Sequence, residues 1–353
     1  MPAAPAPSRM RREIEEIPDA VERVLAAAPD DLRALAAEVN RTRPRWVMVA
    51  ARGTSDHAAV YAQYLIETHL GLPSGLVKPS VTTVYGARLA WQDGLLLAIS
   101  QSGQSPDIVG VVEAARDAGA LTVAITNEHP SPLAAAADWH LACHAGPELA
   151  IPATKTYVAE LAVVASLVAA IRPDPALTAA LAELPAVLRV TISQTDAWLG
   201  GAGNALVGAL ADSDRALLVS RGYNLATALE LALKLKETCG LFAEAYSTAD
   251  FAHGPLVLAQ AAVPTIGIRP DGPMGALVDE TLSGVVGRGG PATVIGGPEA
   301  ASISGALSLP GVPEPLTPLQ FVIPGQLLVE ATAGARGISP DAPIGLGKVT
   351  RTR

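Results

Sequence analysis

The sequence predicts an α/β protein, a tandem duplication of a doubly wound domain in which helices cover both faces of a parallel sheet. Short β-branched runs alternate with stretches of helical periodicity, which is typical of βαβ units. The second half of the chain repeats the order of the first half at an offset of about 170 residues. Half of the 353 residues are hydrophobic and 17% are charged, as expected of a well-packed globular protein.

The first copy is predicted at 41–170, after a Pro/Ala tail at 1–9 and helices at 10–40 that Pro18 and Pro29 divide. Buried strands and helices alternate within this copy. The predicted strands are 46–51, 95–100 and 121–126, and the predicted helices are 54–70 and 106–117. A buried helix is also expected over the apolar run 161–171.

The second copy is predicted at 201–335, with a helical linker at 171–200 before it and a C-terminal tail at 336–353 after it. The two copies differ in a loop at the carboxyl end of a strand, which is where parallel α/β sheets bind ligands. The strand-end loop reads SQSGQS in the first copy and RPDGP in the second. A shared fold does not require this difference, so we expect the first copy to be the one specialised for a ligand.

Composition and charge exclude several classes of protein. A net charge of −9 without a basic stripe argues against a nucleic-acid partner. The two cysteines, Cys143 and Cys239, cannot form a secreted-type disulfide framework, so a reducing compartment is expected. The N-terminal tail lacks the apolar core of a signal peptide, and no apolar run is long enough to cross a bilayer. We therefore expect a cytoplasmic protein without membrane contact, metal site or cofactor.

The stretch SQSGQS at 100–105, which we call the serine loop, follows the second strand and predicts a phosphate-binding site. Its hydroxyls are neutral donors, Gly103 lets the backbone approach an anion, and the following helix offers its N-terminus. Helix capping alone is the simpler alternative, but three serines and two glutamines exceed what one cap needs. No lysine follows the glycine, so the loop is not of the Walker type. The candidate ligands are Ser55, Ser100, Gln101, Ser102 and Ser105, with Gly53 and Gly103 in supporting positions.

A second candidate site is a helical stripe of charge. Glu230, Lys234 and Glu237 are spaced i, i+4 and i+7, which places them on one face of a helix. A solvated face with two salt-bridged pairs is the simpler reading. Two observations favour a functional reading instead: the helix is otherwise largely apolar, and this copy lacks a phosphate loop of its own.

Several motifs together resemble the sugar isomerase (SIS) family. They are ARGTS at 51–55, ISQSGQSPD at 99–107, ATKTY at 153–157, ALELALKLKETCGLFAEAYSTADFAHGPL at 228–256 and PIGLGKVT at 343–350. The likeness is strongest to the isomerase half of glucosamine-6-phosphate synthase and to its stand-alone relatives. It extends from about residue 10 to the C-terminus. It implies a sugar phosphate as the substrate.

The resemblance implies a role for each candidate residue of the second copy. Glu237 would be the base that moves a proton between C1 and C2 of the sugar, a task suited to a partly buried carboxylate. Lys234 would lie near the developing oxyanion, and Glu244 would support the site. His253 would open the pyranose ring from a neighbouring subunit, which implies a homodimer with shared active sites. Without the resemblance, His253 would be read as structural.

The tail lysine, Lys348, would contact the open-chain sugar or form a Schiff base with it. A frayed basic tail is the alternative. The tail has Ile-Gly where the synthase usually has Arg-Asn, so the resemblance is weaker here.

The function expected from the resemblance is conversion of glucosamine-6-phosphate to fructose-6-phosphate and ammonia. Only a short tail precedes the repeat, with no glutaminase domain, and this favours ammonia as a product. Two alternatives stay open: a deglycase of fructosamine-type phosphates, and a non-catalytic sensor of sugar phosphates. A sensor needs the serine loop but not the carboxylate base.

Overall fold

The chain folds into two compact units in the computed structural model, which describes residues 7–27, 29–343 and 345–348. The first unit comprises Asp19–Pro147 and Lys155–Pro185. The second comprises the described residues up to Pro18 together with Glu148–Thr154 and Ala186–Lys348. Most of the predicted tail at 1–9 and the end of the predicted tail at 336–353 lie outside the described residues. The domain limits given above stay a prediction.

Helices and strands alternate along the chain as the sequence predicts. In order, they are α1 (Arg9–Glu15), α2 (Ile17–Ala26), α3 (Pro29–Thr42), β1 (Trp46–Ala50), α4 (Thr54–Leu65), β2 (Ser74–Leu76), α5 (Pro79–Thr83), β3 (Gly94–Ser100), α6 (Pro106–Asp117), β4 (Leu121–Thr126), α7 (Pro132–Ala136), β5 (Trp139–Ala142), α8 (Lys155–Ile171) and α9 (Pro175–Leu199). They continue with α10 (Asn204–Asp212), β6 (Arg215–Ser220), α11 (Leu225–Cys239), β7 (Phe242–Ser247), α12 (Thr248–Ala252), β8 (Thr265–Arg269), α13 (Pro273–Gly287), β9 (Ala292–Gly296), β10 (Leu307–Ser308) and α14 (Thr317–Ala335).

The first unit contains a parallel sheet of five strands in the order β2-β1-β3-β4-β5. Strand β3 lies at its centre and is buried along its whole length, which explains its unbroken apolar sequence. Leu96 and Ala98 of this strand pack with Ile108 and Val111 of α6 in one apolar cluster. This packing fixes the loop between β3 and α6 at the carboxyl end of the sheet.

The second unit contains a sheet with the same topology. Its strands lie in the order β7-β6-β8-β9-β10 and are also parallel. Counted within each copy, both sheets therefore have the order 2-1-3-4-5, which is one of the common doubly wound arrangements. The prediction of a duplicated doubly wound domain is confirmed.

Two helices differ in detail from what the sequence suggests. The helix expected to run to residue 70 ends as α-helix at Leu65 and continues as one π-helical turn, Ile66–Leu70. The apolar run 161–171 lies in α8, which is buried along most of its length. By length and composition, one helix of the described chain, α9, could cross a membrane, and 33% of its apolar window is buried. A single helix of this kind is weak evidence for a membrane span, because core helices meet the same criteria.

Candidate active site

The carboxyl end of the first sheet has a topological switch point between β1 and β3. These strands are direct neighbours, with Ala50 opposite Ala98, while β2 lies on the other side of β1. Open α/β sheets bind ligands at such a point. Helices α4 and α6 both begin there, with Gly53 and Ser105 as their N-cap residues. Neither residue makes a side-chain capping bond, so the positive ends of both helices lack a capping side chain.

The loop between β3 and α6 is ordered by its own hydroxyl groups. The Oγ atom of Ser100 accepts a hydrogen bond from the N–H of Gly103 at 3.2 Å, and that of Ser102 accepts one from the N–H of Gln104 at 3.3 Å. Each of these oxygens acts as an acceptor, so each hydroxyl keeps its proton to donate. The carbonyl of Gln101 accepts the N–H of Asn127 at 3.0 Å, which ties the loop to the end of β4. The loop can therefore offer neutral donors to an anion.

Gly103 is required in this loop for two reasons. Its φ is +60°, a conformation that L-residues rarely adopt. A Cβ atom at this position would also lie 2.4 Å from Oγ of Ser131. The close approach of the two segments therefore depends on the absence of a side chain.

Ser55 has a partner that the sequence did not indicate. Its hydroxyl donates to Oε1 of Glu160 at 2.8 Å, and both residues are buried. Glu160 lies on α8, 105 residues further along the chain. A phosphate would therefore compete with a carboxylate for the Ser55 proton.

An ion pair lies beside the same helix ends. The Nε atom of Arg52 lies 2.9 Å from Oδ2 of Asp107, whose side chain is buried, whereas the Arg52 side chain is 46% exposed. Asp107 is in the first turn of α6, where its negative charge would repel a phosphate. Arg52 offsets that charge and leaves part of its guanidinium accessible. Arg52 was not predicted as a site residue. Its position directly before Gly53 in ARGTS was the sequence signal that could have indicated it.

In the second unit, a carboxylate of the chain itself occupies the N-terminus of the corresponding helix, α13. Oε2 of Glu299 accepts the N–H of Gly272, the N-cap residue of α13, at 3.2 Å. The same carboxylate lies 3.1 Å from the Arg269 guanidinium. The Gly272 N–H and then Arg269 hold the pKa of Glu299 below its usual range. An internal carboxylate thus occupies a helix N-terminus equivalent to that of α6.

The charged stripe of the second unit lies on α11 and is mostly buried. Lys234 is 1% exposed, and its Nζ atom lies 2.6 Å from Oε2 of Glu237 and 3.4 Å from Oε1 of Glu230. Burial alone would lower the pKa of Lys234, but the two carboxylates outweigh it and raise that pKa. Glu230 is completely buried, whereas Glu237 is 26% exposed. Glu237 is therefore the member of the stripe that a solute can reach.

Glu244 and His253 lie elsewhere in the second unit. The carboxylate of Glu244, on β7, pairs with the ammonium of Lys236 at 3.4 Å. His253 is the exposed C-cap residue of the short helix α12, and its backbone N–H donates to the carbonyl of Asp250 at 3.1 Å. The next residue, Gly254, has a φ of +150°, so the chain turns directly after the histidine.

Lys348 is bound to a buried carboxylate. Its Nζ atom lies 3.0 Å from Oε2 of Glu148 and donates to the carbonyl of Ala150 at 2.7 Å. The Glu148 side chain is 0% exposed and that of Lys348 is 24% exposed. Glu148, like Glu160, was not singled out from the sequence. Of the tail stretch 343–350, residues 344, 349 and 350 lie outside the described residues.

The site residues thus fall into two groups, one in each unit. The first unit holds the serine loop with Ser55, Gly53 and the Arg52–Asp107 pair, and the second holds the α11 stripe with Glu244, His253 and Lys348. Within the described part of the chain, no cluster of three or more histidine, cysteine, aspartate or glutamate side chains could hold a metal ion. Both cysteines are buried and not bonded to each other. The first group of residues can bind an anion, and the second can transfer protons.

Comparison with known proteins gives a consistent result. A family model described as "SIS domain" matches residues 43–170 and 209–307. The chain is 34% identical over 350 residues to the isomerizing glutamine–fructose-6-phosphate aminotransferase of Methanothermobacter thermautotrophicus, and 35% identical over 370 residues to that of Symbiobacterium thermophilum. These alignments cover 96% of this chain but 56% and 58% of the relatives, so the chain spans a little over half of their length.

Solved structures match over nearly the whole chain. A candidate phosphosugar isomerase from Silicibacter pomeroyi DSS-3 is 38% identical, with a TM-score of 0.85, and the match covers 95% of this chain and all of that one. The C-terminal domain of glucosamine-fructose-6-phosphate aminotransferase from Francisella tularensis is 24% identical, also with a TM-score of 0.85. That match covers 96% of this chain and 99% of the other.

Proposed function

This chain belongs to the SIS domain family, and from that premise we propose that it isomerises a phosphorylated sugar. With an amino sugar as substrate, the reaction would release ammonia. Glucosamine-6-phosphate and water would give fructose-6-phosphate and ammonia. The relatives' name refers to fructose-6-phosphate and to isomerisation. We carry over the isomerisation and the substrate class, and we add deamination as the finer proposal.

The observation that carries the proposal is the contact between Glu237 and Lys234. Aldose–ketose conversion needs a base that removes a proton from C2 and returns one to C1. Glu237 is a carboxylate that solvent reaches, held at 2.6 Å by a lysine that solvent does not reach. The lysine fixes the carboxylate and supplies a positive charge beside it. An oxyanion that develops on the sugar would be stabilised by that charge.

The serine loop is the proposed phosphate site. Ser100 and Ser102 keep hydroxyl protons to donate, and α6 contributes the positive end of its dipole. Gln101, Ser105 and Ser55 complete the predicted set. Arg52 adds a partly exposed cation close to Gly53. Charge-assisted hydrogen bonds of this kind contribute about 1.5–3 kcal/mol each, so several of them would dominate the affinity for a phosphorylated sugar.

The remaining candidates complete the proposed reaction. His253 would open the sugar ring as an acid and base in the active site of a partner subunit, so the functional unit would be a homodimer. Lys348 would contact the open-chain sugar, and Glu244 would support the site. We also propose a cytoplasmic location, because two buried free cysteines persist most easily under reducing conditions.

The test of the function is hydrogen exchange at C2. Wild-type protein should exchange the C2 hydrogen of glucosamine-6-phosphate with deuterated water and release ammonia. Glu237→Gln keeps the shape of the side chain but cannot accept the proton, so both rates should fall by a factor of about 10² to 10⁴. Affinity for the sugar phosphate, measured by calorimetry, should be retained because the serine loop is unchanged.

A matched control is Glu183→Gln, which removes the same charge from an exposed position on α9. It should leave exchange and ammonia release at wild-type levels. A wild-type protein that binds sugar phosphates and exchanges no hydrogen would favour the sensor alternative. Exchange without ammonia from glucosamine-6-phosphate, but with release of an amino acid from a fructosamine phosphate, would favour the deglycase.

A further inference from the structure

Two buried glutamates and one partly exposed lysine lie near one another in the second unit. They are Glu13 on α1, Glu148 in the segment before α8, and Lys348 near the C-terminus. The side chain of Glu148 uses both oxygens: Oε2 contacts Nζ of Lys348 at 3.0 Å, and Oε1 accepts the N–H of Thr154 at 2.9 Å. The carboxylate is therefore fixed in one orientation by the backbone and presents its second oxygen to the lysine.

Glu13 fixes the segment that carries Glu148. Glu13 is 5% exposed, and its carboxylate accepts the backbone N–H groups of Leu149 at 2.5 Å and of Ala150 at 3.2 Å. Ala150 is also the residue whose carbonyl accepts a hydrogen bond from Lys348. Burial raises the pKa of Glu13, the Leu149 N–H opposes this, and the charge of Glu148 adds to the increase. Glu148 contacts the Lys348 ammonium directly, whereas the Glu13 carboxylate binds the backbone of the segment that carries Glu148.

The start of the tail is attached to the same two segments. The carboxylate of Asp341 accepts the N–H groups of Arg9 and Met10 at 3.0 and 2.9 Å. Its carbonyl accepts the N–H of Ile151 at 3.1 Å. The tail is therefore held at both ends of its last described stretch, at Asp341 by backbone groups and at Lys348 by a carboxylate and a carbonyl.

We propose that Glu148 is the positioning residue of Lys348 and that Glu13 keeps Glu148 in place. Glu148 sets where the tail amine lies, because it holds the ammonium group beside the Ala150 carbonyl. The consequence for catalysis rests on the proposed function, in which Lys348 meets the open-chain sugar. In that reaction an amine released from Glu148 would be less well placed to meet the sugar, so turnover would fall.

The test measures the Lys348 amine directly and needs no substrate. Competitive acetylation with trace acetic anhydride at one pH, read out by peptide mass spectrometry, gives the labelling rate of each lysine. The chain has five lysines: Lys78, Lys155, Lys234, Lys236 and Lys348. Lys236, which is 42% exposed, serves as the internal reference in every sample.

Glu148→Gln should raise the labelling rate of Lys348 relative to Lys236 severalfold, because the amine loses its ionic contact with the buried carboxylate. Glu148→Asp retains the charge and should restore most of the wild-type rate. Glu13→Gln should raise the rate less, because it frees the segment but leaves Glu148 and Lys348 paired. Circular dichroism and the unchanged labelling of Lys236 establish that each variant is folded.

A wild-type labelling rate of Lys348 in Glu148→Gln would overturn the proposal, and so would equal increases of that rate in Glu148→Gln and Glu148→Asp. Kinetics then separate the two proposals. If wild-type protein catalyses the reaction, Glu148→Gln should lower kcat more than it changes KM, and Glu148→Asp should restore most of the lost kcat. If wild-type protein catalyses no reaction, the proposed function fails while the labelling result for Glu148 still holds.

Discussion

Lys234 and Glu237 form an ion pair of 2.6 Å in which the cation is 1% exposed and the carboxylate 26% exposed. The pair links the buried interior of α11 to its accessible surface. Glu230, on the other side of Lys234, is 0% exposed and depends on the same cation. Removal of Lys234 therefore affects both the stability of the second unit and the placement of Glu237.

Lys234→Met should destabilise the protein strongly, because it leaves the Glu230 carboxylate buried without its cation. Loss of one partner from a buried pair typically costs about 3–5 kcal/mol in the free energy of unfolding, which urea titration measures. Lys236→Met is the matched control on the same helix. Its pair with Glu244 is largely exposed, so the expected cost is about 0–1 kcal/mol. Similar losses in the two variants would contradict the assignment of Lys234 as a buried structural cation.

Gly103→Ala should lower the free energy of unfolding by more than backbone strain alone, because the new side chain also disrupts the serine loop. An alanine at a positive φ costs about 1–2 kcal/mol on conformational grounds. At Gly103 the new Cβ atom would also collide with Ser131, whereas at Gly71, with a φ of +69°, it would meet nothing within 4 Å. Gly71→Ala should therefore show the strain alone in urea unfolding. Gly103→Ala should lose more stability, and calorimetry should show loss of sugar-phosphate binding in this variant only.

Ser102→Ala tests the phosphate site without altering the backbone. Loss of one charge-assisted hydrogen bond should weaken binding by about 1.5–3 kcal/mol and raise KM for phosphorylated sugars. Affinity for the unphosphorylated sugar should not change. Ser193→Ala, at an exposed serine of α9, is the control. Equal KM values for parent and Ser102→Ala would mean that the phosphate binds elsewhere.

His140 should make the first unit sensitive to acid. Burial lowers the pKa of this histidine, and the nearby His129 and His144 lower it further. The unfolded chain then binds a proton more readily than the folded one below about pH 6.5, so stability falls as the pH decreases through that window. The loss is about 1.4 kcal/mol for each unit by which the pKa is lowered. The free energy of unfolding in urea should therefore be lower at about pH 5 than at about pH 7. In His140→Gln, the part of this loss that His140 causes should disappear. An unchanged difference would exclude His140 as the cause.

Much of the fold follows from local sequence signals. β3 and β4 are continuous apolar runs because both faces of their sheet are covered, and each was predicted within one residue of its observed limits. The spacing of Glu230, Lys234 and Glu237 placed them on one helix face, and Lys234 does lie between the two carboxylates. The π-helical turn at Ile66–Leu70 was missed because the apolar pattern continues through it.

The partners of the site residues could not be predicted in the same way. Ser55 and Glu160 are 105 residues apart in sequence, and Glu148 and Lys348 are 200 apart. No local periodicity connects positions so distant. Each pair depends on how a loop or tail packs against another element, and the single sequence carries no signal for that. Glu244 was predicted to support the site, and its observed partner is Lys236, eight residues before it.

Mixing two inactive variants tests the proposed homodimer with shared active sites. His253 is exposed, and the exposed apolar residues Val257 and Leu258 follow it closely, as suits a segment covered by another subunit. Suppose that His253 acts in the partner's site. A hybrid of one His253→Ala subunit and one Glu237→Gln subunit then has one site with both groups intact. Random exchange makes about half of the dimers hybrids, so about a quarter of the wild-type rate should return.

If His253 acts within its own subunit, every site in the hybrid lacks one group and no activity returns. Native mass spectrometry must first show that subunits have exchanged. An inactive mixture with demonstrated exchange would therefore exclude a histidine shared between subunits.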